Sequence, residues 1–143
     1  MLTVTSVFVI CLAGLFQWLG INAIRRRRAA GVAVGEGGND ALARAMRAQL
    51  NLFEYGTVVA ALLALCEING APLLLLAAIA LVFLGGRLSH AYGLLRAEPD
   101  TARGSGRFRW RTGAMAITFT TIPVLAAILL VVLVIGGSGA VPA

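Results

Sequence analysis

Residues 44–58 read Arg-Ala-Met-Arg-Ala-Gln-Leu-Asn-Leu-Phe-Glu-Tyr-Gly-Thr-Val, and they run without a break into Val-Ala-Ala-Leu-Leu-Ala-Leu-Cys, residues 59–66. Arg47, Asn51, Glu54 and Tyr55 stand at i, i+4, i+7 and i+8, so at 3.6 residues per turn a helix carries all four on one face. The continuation is an oily run that only a bilayer or a very large core accepts. Each arginine or acid placed in such a span costs about 2.5–3.5 kcal/mol by insertion scales, so these groups are expected to face a cavity or a partner. The polar ladder is therefore the first candidate site.

The rest of the chain is built to the same specification. With 59% hydrophobic and 13% charged residues and a mean hydropathy of +0.90, the 143-residue chain is too apolar for a soluble globule of its size. It reads as one all-α integral membrane domain spanning residues 1–143. The net charge of +6 comes from arginine alone, since lysine is absent. The arginines flank oily runs without any aromatic-basic motif, which argues against nucleic acid and for anionic lipid headgroups. Cys11 and Cys66 fall in separate oily runs, form no metal or redox spacing, and read as small buried hydrophobes.

Outward from the ladder, the first span is expected at about 2–24, uncleaved because its charge follows the oily core as Arg25–Arg28 instead of preceding it. A glycine-rich loop then leads to Asn39 or Asp40 as the N-cap of a helix over about 41–68. At 1.5 Å per residue that helix is about 42 Å long, so its first turns stand in the headgroups. Asn69-Gly70 and Pro72 mark a tight turn into a third helix over about 72–96, which makes helices two and three antiparallel neighbours. The pair Gly85-Gly86 permits close approach by a neighbouring helix. The fourth span, about 107–136, contains Pro123, where a kink is expected, and ends in glycines. Both long loops are basic and the short turn carries only Glu67. The positive-inside rule therefore puts both loops in the cytoplasm and both termini outside.

In this topology Arg44, Arg47, Asn51, Glu54, Arg87, His90 and the arginines opening helix four gather at one depth. One carboxylate, Glu54, does not neutralise two or three cations. The imbalance points to an anionic ligand, and the polar surface on so thin a bundle points to a homo-oligomer with sites between subunits.

The ladder Arg47-x-x-x-Asn51-x-x-Glu54-Tyr55 resembles the second-helix signature of the membrane-associated proteins in eicosanoid and glutathione metabolism, the MAPEG family. Gly86-Arg87-Leu-Ser-His90-Ala-Tyr92-Gly93 resembles the family's third-helix motif. Arg107-Phe-Arg-Trp-Arg-Thr-Gly-Ala-Met115 resembles the fourth-helix opening of its small bacterial members. The resemblance covers about residues 5–135. It implies a homotrimer in the bacterial inner membrane, with the cofactor glutathione held between subunits on the cytoplasmic side. It also implies that Arg47, Asn51, Glu54 and Tyr55 bind glutathione, with Arg87 and His90 contributing. Glutathione offers two carboxylates for arginine forks and an ammonium for Glu54. Arg107 and Arg111, one turn apart, are the candidates for stabilising the catalytic thiolate, with Arg103 as a further possibility. The implied chemistry is conjugation of the thiolate to a lipophilic small molecule delivered by the membrane, or reduction of a lipid hydroperoxide. Two departures from relatives stand out: Thr57 in place of a proline, and Leu94 in place of a tyrosine one turn beyond His90.

Plainer readings compete. Arg47 and Glu54 can form a structural ion pair, Asn51 can donate an interhelical hydrogen bond, and Tyr55 and His90 can make ordinary interface contacts. Arg25–Arg28 reads as a topology and headgroup cluster, and Trp18 and Trp110 as interface anchors. At the level of the whole protein the alternatives are a non-catalytic member of the same fold and a small proton-coupled exporter. The exporter needs a titratable carboxylate in a span, and Glu54 stands among arginines that would keep it ionised.

Overall fold

The computed structural model describes residues 1–97 and 108–138. Among them are four α-helices and no strand: α1, Thr3–Ala29; α2, Asp40–Ile68; α3, Leu73–Tyr92; and α4, Arg109–Ser138. A single π-helical turn, Gly93–Ala97, continues α3. All four helices are long and apolar enough to cross a bilayer, and they form an all-α four-helix membrane bundle. Arg103, Arg107, Pro99 and Gly104 lie outside the described residues.

Local chemistry accounts for the helix ends. Arg25–Arg28 belong to the last turns of α1, where cationic side chains face the negative end of the helix dipole. The helix therefore extends five residues past the expected oily boundary. It closes with Gly31 at φ 64°, the Val32 N–H donating to Arg27 O and the Gly31 N–H to Arg28 O. This is the paired geometry that a left-handed residue after a helix makes possible. Gly70, at φ 83°, closes α2 in the same way, with Ala71 N–H on Cys66 O and Gly70 N–H on Glu67 O. Of the two expected caps for α2, Asn39 does the work: its Oδ1 accepts from Leu42 N at 2.9 Å. Arg27 locks the glycine loop by donating to the Ala33 and Gly35 carbonyls at 3.2 and 3.0 Å. The helix α4 passes through Pro123 without interruption. The α2 helix likewise continues through Thr57, whose hydroxyl donates to Phe53 O at 2.9 Å.

Two apolar clusters form the interior. Phe8, Val59, Leu63, Leu76, Phe83 and Leu125 fill the half of the bundle near the α2–α3 turn. Leu19, Ala48, Leu52, Ala91 and Leu94 fill the half near Arg25–Arg28, hereafter the basic end. Gly86 sets the distance between α3 and α4, because a Cβ there would lie 3.0 Å from Ile117 Cγ2; Gly85 faces open space. Only one of the two glycines is thus used for close approach. Cys66 is buried as expected, whereas Cys11 is exposed on α1.

The first turn of α1 has no cap of its own. Glu67, from the far end of α2, supplies one: its Oε1 accepts from Val4 N at 3.0 Å, and its Oε2 from Thr5 N and Thr5 Oγ1, both at 2.8 Å. A carboxylate on the free N–H groups of a helix start is favoured by hydrogen bonding and by the dipole together. Sequence reasoning placed Glu67 in the turn as a lone charge, and the structure makes it the joint between α1 and α2.

Glu67→Ala should lower stability by about 2–3 kcal/mol, since buried N–H groups lose charged acceptors, measurable as a lower Tm in mild detergent. Gly86→Leu should cost about 1–3 kcal/mol by overpacking against Ile117, while Gly85→Leu should leave Tm nearly unchanged.

Candidate functional site

Between the two apolar clusters lies a polar layer. Arg87, on α3 one turn after Phe83, is only 2% exposed. Its Nη1 donates to Asn51 Oδ1 on α2, and its Nη2 donates to Thr118 Oγ1 and, at 3.0 Å, to Ala114 O on α4. Its guanidinium also lies 5.3 Å from the Phe83 ring centre and 5.7 Å from that of Tyr55, within cation–π range. Tyr55 in turn packs edge-on against Phe119 at 5.9 Å. Among the described residues, no carboxylate contacts Arg87, and its Nε is buried without a partner. A cation is thus held inside the bundle by neutral groups alone.

Beside this layer, toward the basic end, an open recess of about 560 Å³ is lined by Arg47 and Asn51 of α2, His90 of α3, and Phe108, Arg111, Thr112 and Met115 at the start of α4. Four of the sequence-predicted residues, Arg47, Asn51, His90 and Arg111, therefore meet in one cavity from three helices. His90 is buried and lines the recess, and its ring nitrogens have no hydrogen-bond partner among the described residues. Arg111 is steadied by the Phe108 ring, 5.3 Å from its guanidinium carbon. Arg47 is exposed and stands at the rim. The recess holds two arginines, an imidazole and an amide, and none of its described lining residues is acidic. Such a lining has the chemistry that attracts an anion.

The other predicted residues stand elsewhere. Arg87 does not line the recess; it stands behind Asn51. Because Asn51 Oδ1 faces Arg87, its amide N–H groups are left for the recess, an orientation assigned from the hydrogen-bond network. Glu54 is on the exposed face of α2, and no ion pair joins it to Arg47 or Arg87. The competing structural ion pair is thus absent among the described residues, while Asn51 makes an interhelical hydrogen bond as an acceptor and not as the expected donor. Tyr55 belongs to the polar layer through Arg87. Arg107 lies outside the described residues. Leu94 is buried in the apolar cluster at the basic end, and Tyr92 turns away from His90 to meet Trp110 edge-on at 5.1 Å.

Sequence reasoning missed three features. Thr118 completes the Arg87 layer; its only signal was a hydroxyl in an oily span. Phe108 and Met115 wall the recess, and nothing in their spacing announced it. Arg47 also borders a second recess of about 580 Å³ between α1 and α2, where Arg27, Glu36 and Gln49 face it. Arg27 had been grouped with its neighbours as a headgroup contact.

The sequence profile of the MAPEG family matches residues 5–131. The chain is 31% identical over 119 residues to the inner membrane protein YecN of Escherichia coli strain K12, an overlap of 83% of this chain and 84% of the relative. The match to YecN of Escherichia coli O6:H1 strain CFT073 has the same identity and extent. The profile runs from the first turn of α1 to the last third of α4, taking in the Arg87 layer and every described residue of the recess, and the chain belongs to the MAPEG family.

Proposed function

We propose that this protein is a glutathione-binding enzyme of the bacterial inner membrane that activates the glutathione thiolate. The thiolate then either attacks a lipophilic electrophile or reduces a lipid hydroperoxide. The observation that carries the reading is the recess itself: Arg47, His90 and Arg111 converge with no acid among the described lining residues. Glutathione suits it, having two carboxylates for guanidinium forks and a thiol that benefits from a nearby cation. Membership of the MAPEG family and the relatives' name as inner membrane proteins support both the ligand and the location.

In this reading Arg47 and the Asn51 amide hold the peptide's anionic and carbonyl groups, and His90 donates or accepts within the recess. Arg87 acts through Asn51 as a positioning residue. Glu54 binds from the exposed side of α2 and Tyr55 from the edge of the Arg87 layer, where a second and third copy of the chain complete the site as a homotrimer. Arg111 stands nearest the thiol, shared with Arg107. The basic end faces the cytoplasm by the positive-inside rule, so the soluble tripeptide arrives from there while the second substrate arrives through the bilayer. In conjugation the thiol proton leaves to water, the sulfur forms a bond to the electrophilic carbon, and the leaving group departs with the displaced electron pair. Holding the two reactants together and keeping the sulfur ionised provide the acceleration.

Arg111→Gln should lower the conjugation rate with a chloronitrobenzene acceptor by about 10–100-fold and remove the ultraviolet thiolate absorbance, with glutathione affinity changed only about threefold. Arg47→Ala should weaken glutathione binding about tenfold or more by losing a charged fork, while cross-linking still traps a trimer. Asn51→Asp keeps an acceptor for Arg87 but puts an anion in the recess, so folding should survive and glutathione binding fail. Asn51→Leu should destabilise the bundle by about 2–3 kcal/mol, since the buried cation loses an acceptor. Binding without conjugation of any electrophile or reduction of any hydroperoxide would identify a non-catalytic member of the family. A monomer that binds glutathione as well as the assembled protein would exclude the intersubunit site.

A further inference from the structure

The four arginines that end α1 do different things. Arg25 and Arg28 are exposed, and Arg27 is turned onto the glycine-loop carbonyls. Arg26 turns toward α3 instead. There a cleft of about 530 Å³ is bounded by Trp18, Asn22 and Arg26 on α1 and by Leu88, Tyr92 and Arg96 on the facing helix. The Arg26 Nε donates to Asn22 Oδ1 at 2.8 Å. That bond fixes the guanidinium plane and leaves both Nη groups to face an incoming ligand. Arg96 is exposed on the π-helical turn opposite. Among the described residues, no acid lines the cleft.

The same seam continues toward the other end of the bundle. A second recess of about 280 Å³ lies between Val4, Val7 and Cys11 on α1 and Ala77, Leu81 and Leu84 on α3. Nearly every group on its walls is apolar. The α1 positions 4, 7, 11, 18, 22 and 26 and the α3 positions 77, 81, 84, 88 and 92 follow helical three- and four-residue steps, so the two recesses share one face of each helix. From Arg26 to Cys11 is fifteen residues, about 22 Å at 1.5 Å per residue. That matches one leaflet with its headgroups, half of roughly 40–45 Å. Along this length the seam passes from two guanidinium groups, through the half-exposed amphipathic rings of Trp18 and Tyr92, to aliphatic walls. Aromatic rings of this kind settle at the headgroup level.

We propose that the α1–α3 seam binds one anionic phospholipid, its phosphate between Arg26 and Arg96 and an acyl chain along the apolar walls below Trp18. The charge order of the seam matches the charge order of the molecule, and zwitterionic or neutral lipid lacks the net anion that suits two guanidinium groups with no carboxylate partner among the described residues. The cleft lies between α1 and α3, whereas the recess assigned to glutathione lies between α2, α3 and α4. The two proposals therefore stand or fall separately.

The test is native mass spectrometry of the full chain, purified in mild detergent and titrated with phosphatidylglycerol, phosphatidylcholine or inorganic phosphate. Phosphatidylglycerol should bind at one per chain and resist displacement by millimolar phosphate, and phosphatidylcholine should bind about tenfold more weakly. The double variant R26Q/R96Q should lose about tenfold or more in phosphatidylglycerol affinity, while R25Q/R28Q, which removes the same charge, should stay within about threefold of the parent. Trp18→Ala, which keeps every charge, should weaken retention several-fold and leave glutathione binding unchanged. Equal losses in the two double variants would overturn the proposal by reducing the effect to diffuse surface charge. Equal binding of phosphatidylcholine, or ready displacement by inorganic phosphate, would overturn it by showing a lipid-nonspecific groove or a soluble-anion site.

Discussion

The guanidinium of Arg87 sits where the bundle is otherwise apolar, with Phe83 of one cluster on one side and Ala91 of the other a turn beyond. A cation in that position is tolerated only if its N–H groups are met, because the desolvation cost of a charge inside a membrane protein is several kcal/mol. The chain meets it with a side-chain amide, a hydroxyl and a main-chain carbonyl drawn from two other helices, and with the faces of two aromatic rings. This one side chain consequently fixes the mutual register of α2, α3 and α4. The layer remains positive, since none of its partners carries a negative charge. That unneutralised potential reaches the adjoining recess, where the guanidinium groups of Arg47 and Arg111 add to it. The structural tie and the attraction for an anion are two consequences of the same uncompensated charge.

Arginine without lysine is the other constant of this chain. A guanidinium is planar, permanently charged and more weakly hydrated than an ammonium, so it can be buried, stacked on a ring or aimed as a fork. Each property is used once at least: burial at Arg87, stacking of Arg111 on Phe108, and directed donation by Arg27, whose Nη1 serves two loop carbonyls. The Arg26–Asn22 pair orients a further guanidinium toward α3. A run that reads as uniform positive charge thus resolves into separate contacts on successive faces of one helix.

At the opposite end of the bundle the logic is inverted. Glu67, the acid nearest the α2–α3 turn, lies against the positive start of α1 and takes up N–H groups that the helix leaves unpaired. The bundle is therefore pinned by a carboxylate at one end of α2 and by the Arg87 layer in its other half, with apolar packing between. Helices in lipid gain little from hydrophobic exclusion against one another, so such polar fasteners and close contacts like Gly86 on Ile117 carry more of the association.

Much of this architecture was legible before any coordinates. Hydropathy and turn chemistry locate four helices, and the structure shifts their ends by a few residues at most points. The larger extension of α1 through Arg25–Arg28 reflects the preference of cations for a helix C-terminus. Spacing alone placed Arg47, Asn51, Glu54 and Tyr55 on one helix, because helical periodicity is local. It could not tell that Asn51 reaches the recess, that Tyr55 faces Arg87, or that Glu54 faces out, since those distinctions depend on which neighbour each part of the face meets. Thr118 and Glu67 were unreadable for the same reason: their partners lie 31 and 62 residues away. Sequence determined the membrane solvent, the helices and the store of arginine, all of which follow from composition and period. Tertiary structure alone decided which arginine is buried, which is stacked and which is left facing a cavity, because that choice is made by packing between helices distant in the chain.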